Sequence, residues 1–238
     1  MPSSEISDVL AGRRRGAIMQ GDCLVDGRQI PDGTVDAVIV DPPFGIRYRG
    51  QNNRQRALLN DEQPFVWFLP EAYRVLRPGG SLICFCQWRV MEDFRRPIQL
   101  AGFRIMNCLI WDKGHGGMGH TGCQFAPRHE VAWFAIKGRF RFPGRRPADV
   151  LPHRIVPPKR RIHSTQKPLS LMTDLIDSVT KPDELIYDPC CGSGSTVVAA
   201  VATGRRAIGM DLDAEHVAAA RHRLKHEAAN KASDQSVE

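Results

Sequence analysis

The chain has 238 residues, and its 42% hydrophobic content is enough for a packed core and argues against a disordered polymer. Lys and Arg (33) outnumber Asp and Glu (26), giving a net charge of +7 and a pI near 9.2. A basic balance favours a polyanionic partner, although basic proteins without nucleic acid share it. The longest aliphatic run, at 197–202, is far too short to cross a bilayer, and Arg13, Arg14 and Arg15 are not followed by an apolar signal-peptide core. The seven cysteines form no C-x-x-C pair, so neither a zinc ribbon nor a disulfide scaffold is expected. Reduced thiols in a cytoplasmic protein are expected instead. His115, His120, Cys123 and His129 also match no zinc spacing, so no metal is expected there.

In chain order, "AIMQGD" (17–22) predicts a strand that ends in the acid Asp22. "VDAVIVD" (35–41) predicts a short buried strand ending in Asp41. The run 64–76 has helix-spaced apolar residues, and Arg77-Pro78-Gly79-Gly80 is expected to stop it. "SLICFCQ" (81–87) reads as a strand, and 89–102 as a helix containing a proline. "FRIMNCLIWDK" (103–113) and "HEVAWFAIKG" (129–138) read as two strands, expected to pair antiparallel. A helix over 168–179, a strand at 184–189, a helix over 195–203, a strand at 206–213 and a helix over 214–227 complete the pattern. Strands alternating with helices predict an α/β fold with a mostly parallel sheet and helices on both faces. Two segments stand outside it. Residues 47–63 are polar and are expected to form a mobile loop, while 139–161 are rich in Arg and Pro. Residues from Asn230 onward are expected to be a loose tail.

"LIYDPCCGSGST" (185–196) is a strand, a glycine-rich loop and a helix start. Gly192 and Gly194 permit a tight turn and close approach of backbone to a ligand. The dinucleotide fingerprint is not completed, because position 197 is Val, and the G-K-[ST] of a P-loop is absent. The next strand ends at Asp211, where an α/β sheet places an acceptor for ribose hydroxyls. The bland reading, a tight turn and a capping acid, competes for either piece alone and weakens when both stand in register.

"DPPF" (41–44) and "DPCCGSGST" (188–196) together resemble the signatures of the S-adenosylmethionine-dependent DNA amino-methyltransferases. The order of the two motifs is similar to the permuted β group, in which target recognition lies between them. "GDCL" (21–24) and "HSTQKP" (163–168) add to the resemblance, which spans nearly the whole chain. It implies a Rossmann-like class I methyltransferase sheet in a single domain, circularly permuted, with target recognition at 139–161. It also implies S-adenosyl-L-methionine as methyl donor and double-stranded DNA as partner. Gly192, Ser193 and Gly194 would wrap the methionine end of the cofactor, supported by Asp188 and Thr196. Asp211 would take the ribose hydroxyls and Asp22 the adenine amino group. Thr165 and Lys167 would close over the carboxylate. Cys190 and Cys191 depart from the family pattern, which often has an aromatic residue in this position, so Cys190 would line the methionine end in a different packing.

The resemblance also gives the acid–proline–aromatic strand end a chemical purpose. An exocyclic amino group is a poor nucleophile, because its lone pair is conjugated into the ring. Asp41 and the carbonyl of Pro42 would accept its two N–H groups and draw the lone pair out. Pro42 and Pro43 fix φ and offer no competing N–H, and Phe44 offers a stacking face. The base must leave the helix to reach such a site. Asp at 41 is similar to adenine-N6 enzymes, whereas cytosine-N4 enzymes more often carry Ser; the aromatic Phe44 does not decide between them. Arg145, Arg146, Arg154, Lys159, Arg160 and Arg161 are the expected DNA contacts, with Arg154 a candidate base reader. The segment is short, so a homodimer sharing recognition is expected. Competing readings are a cytosine-N4 enzyme, an RNA-directed adenine enzyme and an inactive DNA-binding relative.

Overall fold

The computed structural model describes residues 3–46, 59–117, 122–157 and 166–234. The flanking helix α1 (Ser4–Leu10) is capped by the Ser3 hydroxyl, which accepts the Ile6 N–H at 3.3 Å. Eight strands then form one sheet: β1 (Gly16–Gln20), β2 (Val35–Val40), β3 (Leu76–Cys86), β4 (Arg104–Asp112), β5 (His129–Ile136), β6 (Val150–Pro152), β7 (Leu185–Asp188) and β8 (Arg206–Asp211). Their spatial order is β1-β8-β7-β2-β3-β5-β4-β6. Every pairing is parallel except the two made by β5, so β5 alone runs against the rest. The antiparallel pairing expected for 103–113 and 129–138 is that of β4 with β5.

Alternation along the strands supplies two cores. Val38, Val40, Leu82 and Cys84 face α1, α2 (Leu69–Val75) and α3 (Met91–Leu100). Ala37, Ile39, Ile83 and Phe85 face α4 (Leu169–Val179), α5 (Ser195–Ala202) and α6 (Ala214–Asp234). The sheet is therefore covered on both faces, which is why β2 and β7 read as continuous apolar runs.

Several expectations change. The helix expected from residue 64 begins at Leu69 and ends at Val75, just before the expected stop at Arg77–Gly80, and β3, starting at Leu76, runs through that stop. The register against β2 jumps from Val35↔Leu76 to Ala37↔Ser81, so these four residues form a bulge. The Asp36 carboxylate accepts from the Arg77 guanidinium and, at 2.7 Å, from the Leu185 N–H, which fastens the bulge to β7. Helix α1 and strand β6 are not evident in the sequence pattern. The tail expected from Asn230 is helical as far as Asp234. Strand β6 also brings part of the 139–161 segment into the sheet, on the outer edge of β4.

Candidate active site

Four acids lie where parallel strands finish: Asp22 just beyond β1, Asp41 just beyond β2, Asp188 ending β7 and Asp211 ending β8. Between β7 and β2 the order of connections reverses, since β7 leads through α5 to β8 on one side and β2 through α2 to β3 on the other. Ligand crevices of open α/β sheets form outside such reversal points. A cleft of about 650 Å³ opens there, and all four acids line it.

One half of the cleft is the glycine loop. The Cys191 N–H donates to the Met210 carbonyl at 2.8 Å and the Gly192 N–H to Asp211 Oδ2 at 2.8 Å, tying the loop to β8. Asp211 Oδ1 accepts from the Asp213 N–H at 2.9 Å and lies 3.4 Å from His216 Nδ1. Burial works against its charge, but His216 and the two N–H groups outweigh burial and hold the carboxyl below its usual range. Gly192 has φ +48° and no atom within 4 Å of where a Cβ would stand, so its cleft side is open to a ligand. Gly194 has φ +75°, and a Cβ there would meet Ala220 of α6 at 2.9 Å. Ser193, Thr196, Cys190 and Asp22 line the cleft; Gly194 lies behind it, against α6. Burial pushes Asp188 up to about 7, while the Thr196 hydroxyl and the Cys190 N–H pull the other way. A hydrogen bond with Cys23 and then burial drive the Cys190 thiol well up, which favours its protonated form.

The other half is built on Asp41. The Pro43 carbonyl accepts the Phe65 N–H at 3.0 Å, and Asp61 Oδ1 accepts the Gly45 N–H at 2.7 Å, so the chain at 61–65 braces the turn. Among the described residues no donor reaches the Pro42 carbonyl. Phe44 meets Phe94 edge to face, with centroids 6.3 Å apart, and lines the cleft. Lys167 Nζ donates to Asp41 Oδ2 at 2.5 Å and lies 3.0 Å from Glu130 Oε2. Glu130 Oε1 in turn is 2.6 Å from Lys113 Nζ. The Lys167 side chain is only 7% exposed, against 25% for Asp41 and 23% for Glu130. Its ammonium also sits 4.9 Å from the Phe85 ring and 5.8 Å from that of Trp111. Burial alone would lower its affinity for a proton, but Asp41 and Glu130 raise it, so Lys167 is charged. Burial likewise opposes the Glu130 charge, yet Lys167 and Lys113 bring its carboxyl down to about 2. Burial raises Asp41, with Lys167 pulling against it. Among the described residues Asp41 Oδ1 is buried and has no hydrogen-bond partner; Glu130 Oε2 likewise has none, its 3.0 Å approach to Lys167 being an ion pair without hydrogen-bond geometry.

The sequence-predicted residues therefore divide. Asp41, Pro42, Pro43, Phe44, Asp22, Lys167, Asp188, Cys190, Gly192, Ser193, Thr196 and Asp211 converge on the cleft. Lys167, expected at the cofactor's carboxylate, is instead engaged by Asp41 and Glu130. Thr165, Lys159, Arg160 and Arg161 lie outside the described residues, as do 47–58 of the loop expected at 47–63. The 139–161 segment is split by the direction of β5. That strand starts at the cleft with Glu130 and finishes at the opposite end of the sheet, where the Lys137 carbonyl accepts the Gly79 N–H at 2.7 Å. Arg145 and Arg146 are exposed on the path back, whereas Arg154, beyond β6, lies beside Gly114, His115 and Ile155, the last of which lines the cleft. Glu130, Lys113 and Trp111 are absent from the sequence expectations. Among the described residues no group of three potential ligands suits a metal, and no helix is long and apolar enough to cross a membrane.

A doubly wound sheet with acids at adjoining strand ends, a glycine loop tied to the last of them, and an acid–proline–proline–aromatic turn opposite defines a class I, Rossmann-like methyltransferase. A family model described as DNA methylase matches residues 35–148 and 144–222. The chain belongs to that family, the N6/N4 amino-methyltransferases, whose methyl donor is S-adenosyl-L-methionine. It is 32% identical over 209 residues to the protein YubD of Escherichia coli (strain K12), across 87% of this chain and 88% of the relative. Its fold is similar to the M1.HpyAVI–SAM complex, with TM-score 0.70 and 23% identity over 88% of this chain and 98% of the other. It is equally similar to the cytosine-N4-specific PvuII DNA methyltransferase, with TM-score 0.71 and 19% identity over 89% and 86%.

Proposed function

We propose that the protein methylates the N6 amino group of an adenine swung out of duplex DNA. The observation that carries this reading is the buried Oδ1 of Asp41 at the cleft, without a partner among the described residues. A native carboxylate oxygen without a donor costs stability unless something fills it in the working state. An amino N–H supplies that donor. The Pro42 carbonyl takes the second N–H, and Phe44 stacks on the ring. Together the two acceptors favour the electron-rich form of the nitrogen as it attacks. An exchange of Asp41 for the serine common in cytosine enzymes would remove one acceptor oxygen; its presence favours adenine.

The donor set of the other half suits S-adenosyl-L-methionine, which supplies an electrophilic methyl on a sulfonium centre. Asp211 and Asp22 offer acceptors for ribose hydroxyls and an adenine amino group, the open side of Gly192 admits the methionine end, and Asp188 and Asp41 place negative charge around a cationic sulfur. Of the described arginines at 139–157, Arg154 is the one beside the cleft and is assigned to DNA.

Incubation of unmethylated duplex DNA with protein and cofactor, followed by mass spectrometry of the nucleosides, is expected to yield N6-methyladenine. N4-methylcytosine alone would overturn the adenine assignment and leave the family intact. Asp41→Ala should reduce turnover about 100- to 1000-fold, with cofactor affinity measured by calorimetry unchanged. Near-normal turnover would remove Asp41 from the reaction.

A further inference from the structure

The four-residue charge cluster at the base-facing end of the cleft has a member that the methyl-transfer chemistry does not use. Glu130, the second residue of β5, makes among the described residues no hydrogen bond or ion pair with the glycine loop or the Asp-Pro-Pro-Phe turn, yet it ion-pairs with Lys167 at 3.0 Å and with Lys113 at 2.6 Å. We propose that Glu130 is a positioning residue: by anchoring Lys167 it commits that ammonium to Oδ2 of Asp41 and leaves Oδ1 as the acceptor for the amino group.

The geometry argues for this division. An ammonium has three donors that rotate freely and does not by itself choose between the two oxygens of a carboxylate. Here a second anion fixes the choice. Lys167 is 2.5 Å from Oδ2 of Asp41, Oδ1 has no partner among the described residues, and the rings of Phe85 and Trp111 flank the ammonium. Lys113 balances the cluster, giving two cations against two carboxylates. Without Glu130 the ammonium could pivot toward Oδ1 and compete for the site that an amino N–H must occupy. Misplacement of a reacting group by about 1 Å costs on the order of 100-fold in rate.

The inference rests on the role of Asp41 proposed above, and its test separates the two. Asp41 is faced by Lys167 before α4, Glu130 on β5, Lys113 after β4, Asp188 at the end of β7, and the thiols of Cys84 and Cys86 on β3. Glu130 adds negative charge near Asp41, so Glu130→Gln should make Asp41 ionise more easily and move the acid limb of the kcat profile to lower pH. Lys113→Met removes a cation and should move that limb to higher pH. Each shift should be about half a unit or more. A distant charge would do that much. A positioning role demands in addition that the kcat plateau of Glu130→Gln fall about 10- to 100-fold, with KM for DNA and the cofactor Kd changed less than threefold. Glu130→Asp, which restores the charge on a shorter arm, should recover part of the plateau. An unchanged plateau would overturn the inference even if the limb moved. Should Glu130→Gln not fold, as judged by circular dichroism, Glu130→Asp and Lys113→Met decide: normal plateaus and unmoved limbs in both would overturn it equally. If instead Asp41→Ala turns over normally, the underlying reading fails whatever Glu130 does.

Discussion

Asp188 shows how a single carboxyl at this site couples protonation to stability. It is 3% exposed, and burial pushes it up to about 7, against about 3.9 in an unfolded chain. Between those values the folded protein holds a proton that the unfolded chain has released. Stability contributed by this group is therefore full below about pH 4 and declines as pH rises toward 7. Asp188→Asn keeps an acceptor for the Cys190 N–H and removes the titration. The variant, measured without cofactor by urea unfolding, should lose that decline and gain up to about 4 kcal/mol over the natural protein at pH 8. A pH dependence identical to that of the natural protein would show that Asp188 does not titrate there. The charge it assumes at higher pH is the charge a sulfonium favours, so cofactor affinity of the natural protein should rise as pH passes through about 7.

At the scale of elements, the two glycines of the loop carry different burdens. Gly194 sits under α6, where a Cβ would stand 2.9 Å from Ala220 and 3.3 Å from Ile18. Gly194→Ala should cost about 1–3 kcal/mol of stability through overpacking, read as a lowered urea midpoint. Gly192→Ala meets no such neighbour and bears only the left-handed backbone, about 1–2 kcal/mol, but it should weaken cofactor binding more than Gly194→Ala does. Equal effects of both on stability and binding would contradict the division. The loop and the strand-end acids were legible in the sequence because each is a local signal: a β-branched run, then an acid, then Pro or Gly. Glu130 and Lys113 were not, because their meaning lies across strands. Glu130 is merely the second residue of a strand until the antiparallel turn of β5 sets it beside Lys167. The charge of Lys167 announced an anionic partner, while the identity of that partner depended on folding. Helix α1 is short, and β6, with three residues, is too brief to show a period.

On the scale of the molecule, the direction of β5 decides which of the described arginines after it lie on the cleft side of the sheet. Arg141 leaves the sheet at the end away from the cleft, and Arg154 returns at the rim. Arg154→Ala should weaken DNA binding and lower the salt dependence by about one charge, or relax base choice at one position. Arg141→Ala should do neither. Filter-binding titrations at two salt concentrations, with single-mismatch duplexes, would check both, and equal losses would place the duplex along the whole outer edge of β4.

The strand order has a consequence for how such a chain comes to be folded. Strand β1 has one neighbour, β8, and β7 is the strand that separates β8 from β2. During synthesis β1 emerges long before its only mate, and β2, β3, β5 and β4 can assemble while the flank of β2 still waits for β7. Pairings this remote in sequence are slow to form, and an open, apolar strand flank invites association with other chains. The nascent protein must therefore pass through a half-built sheet whose exposed flank is the line along which the cleft later opens. Leu185–Asp188 closes that seam and β8 then reaches β1, so the cleft is completed only as the last strands of the chain take their places.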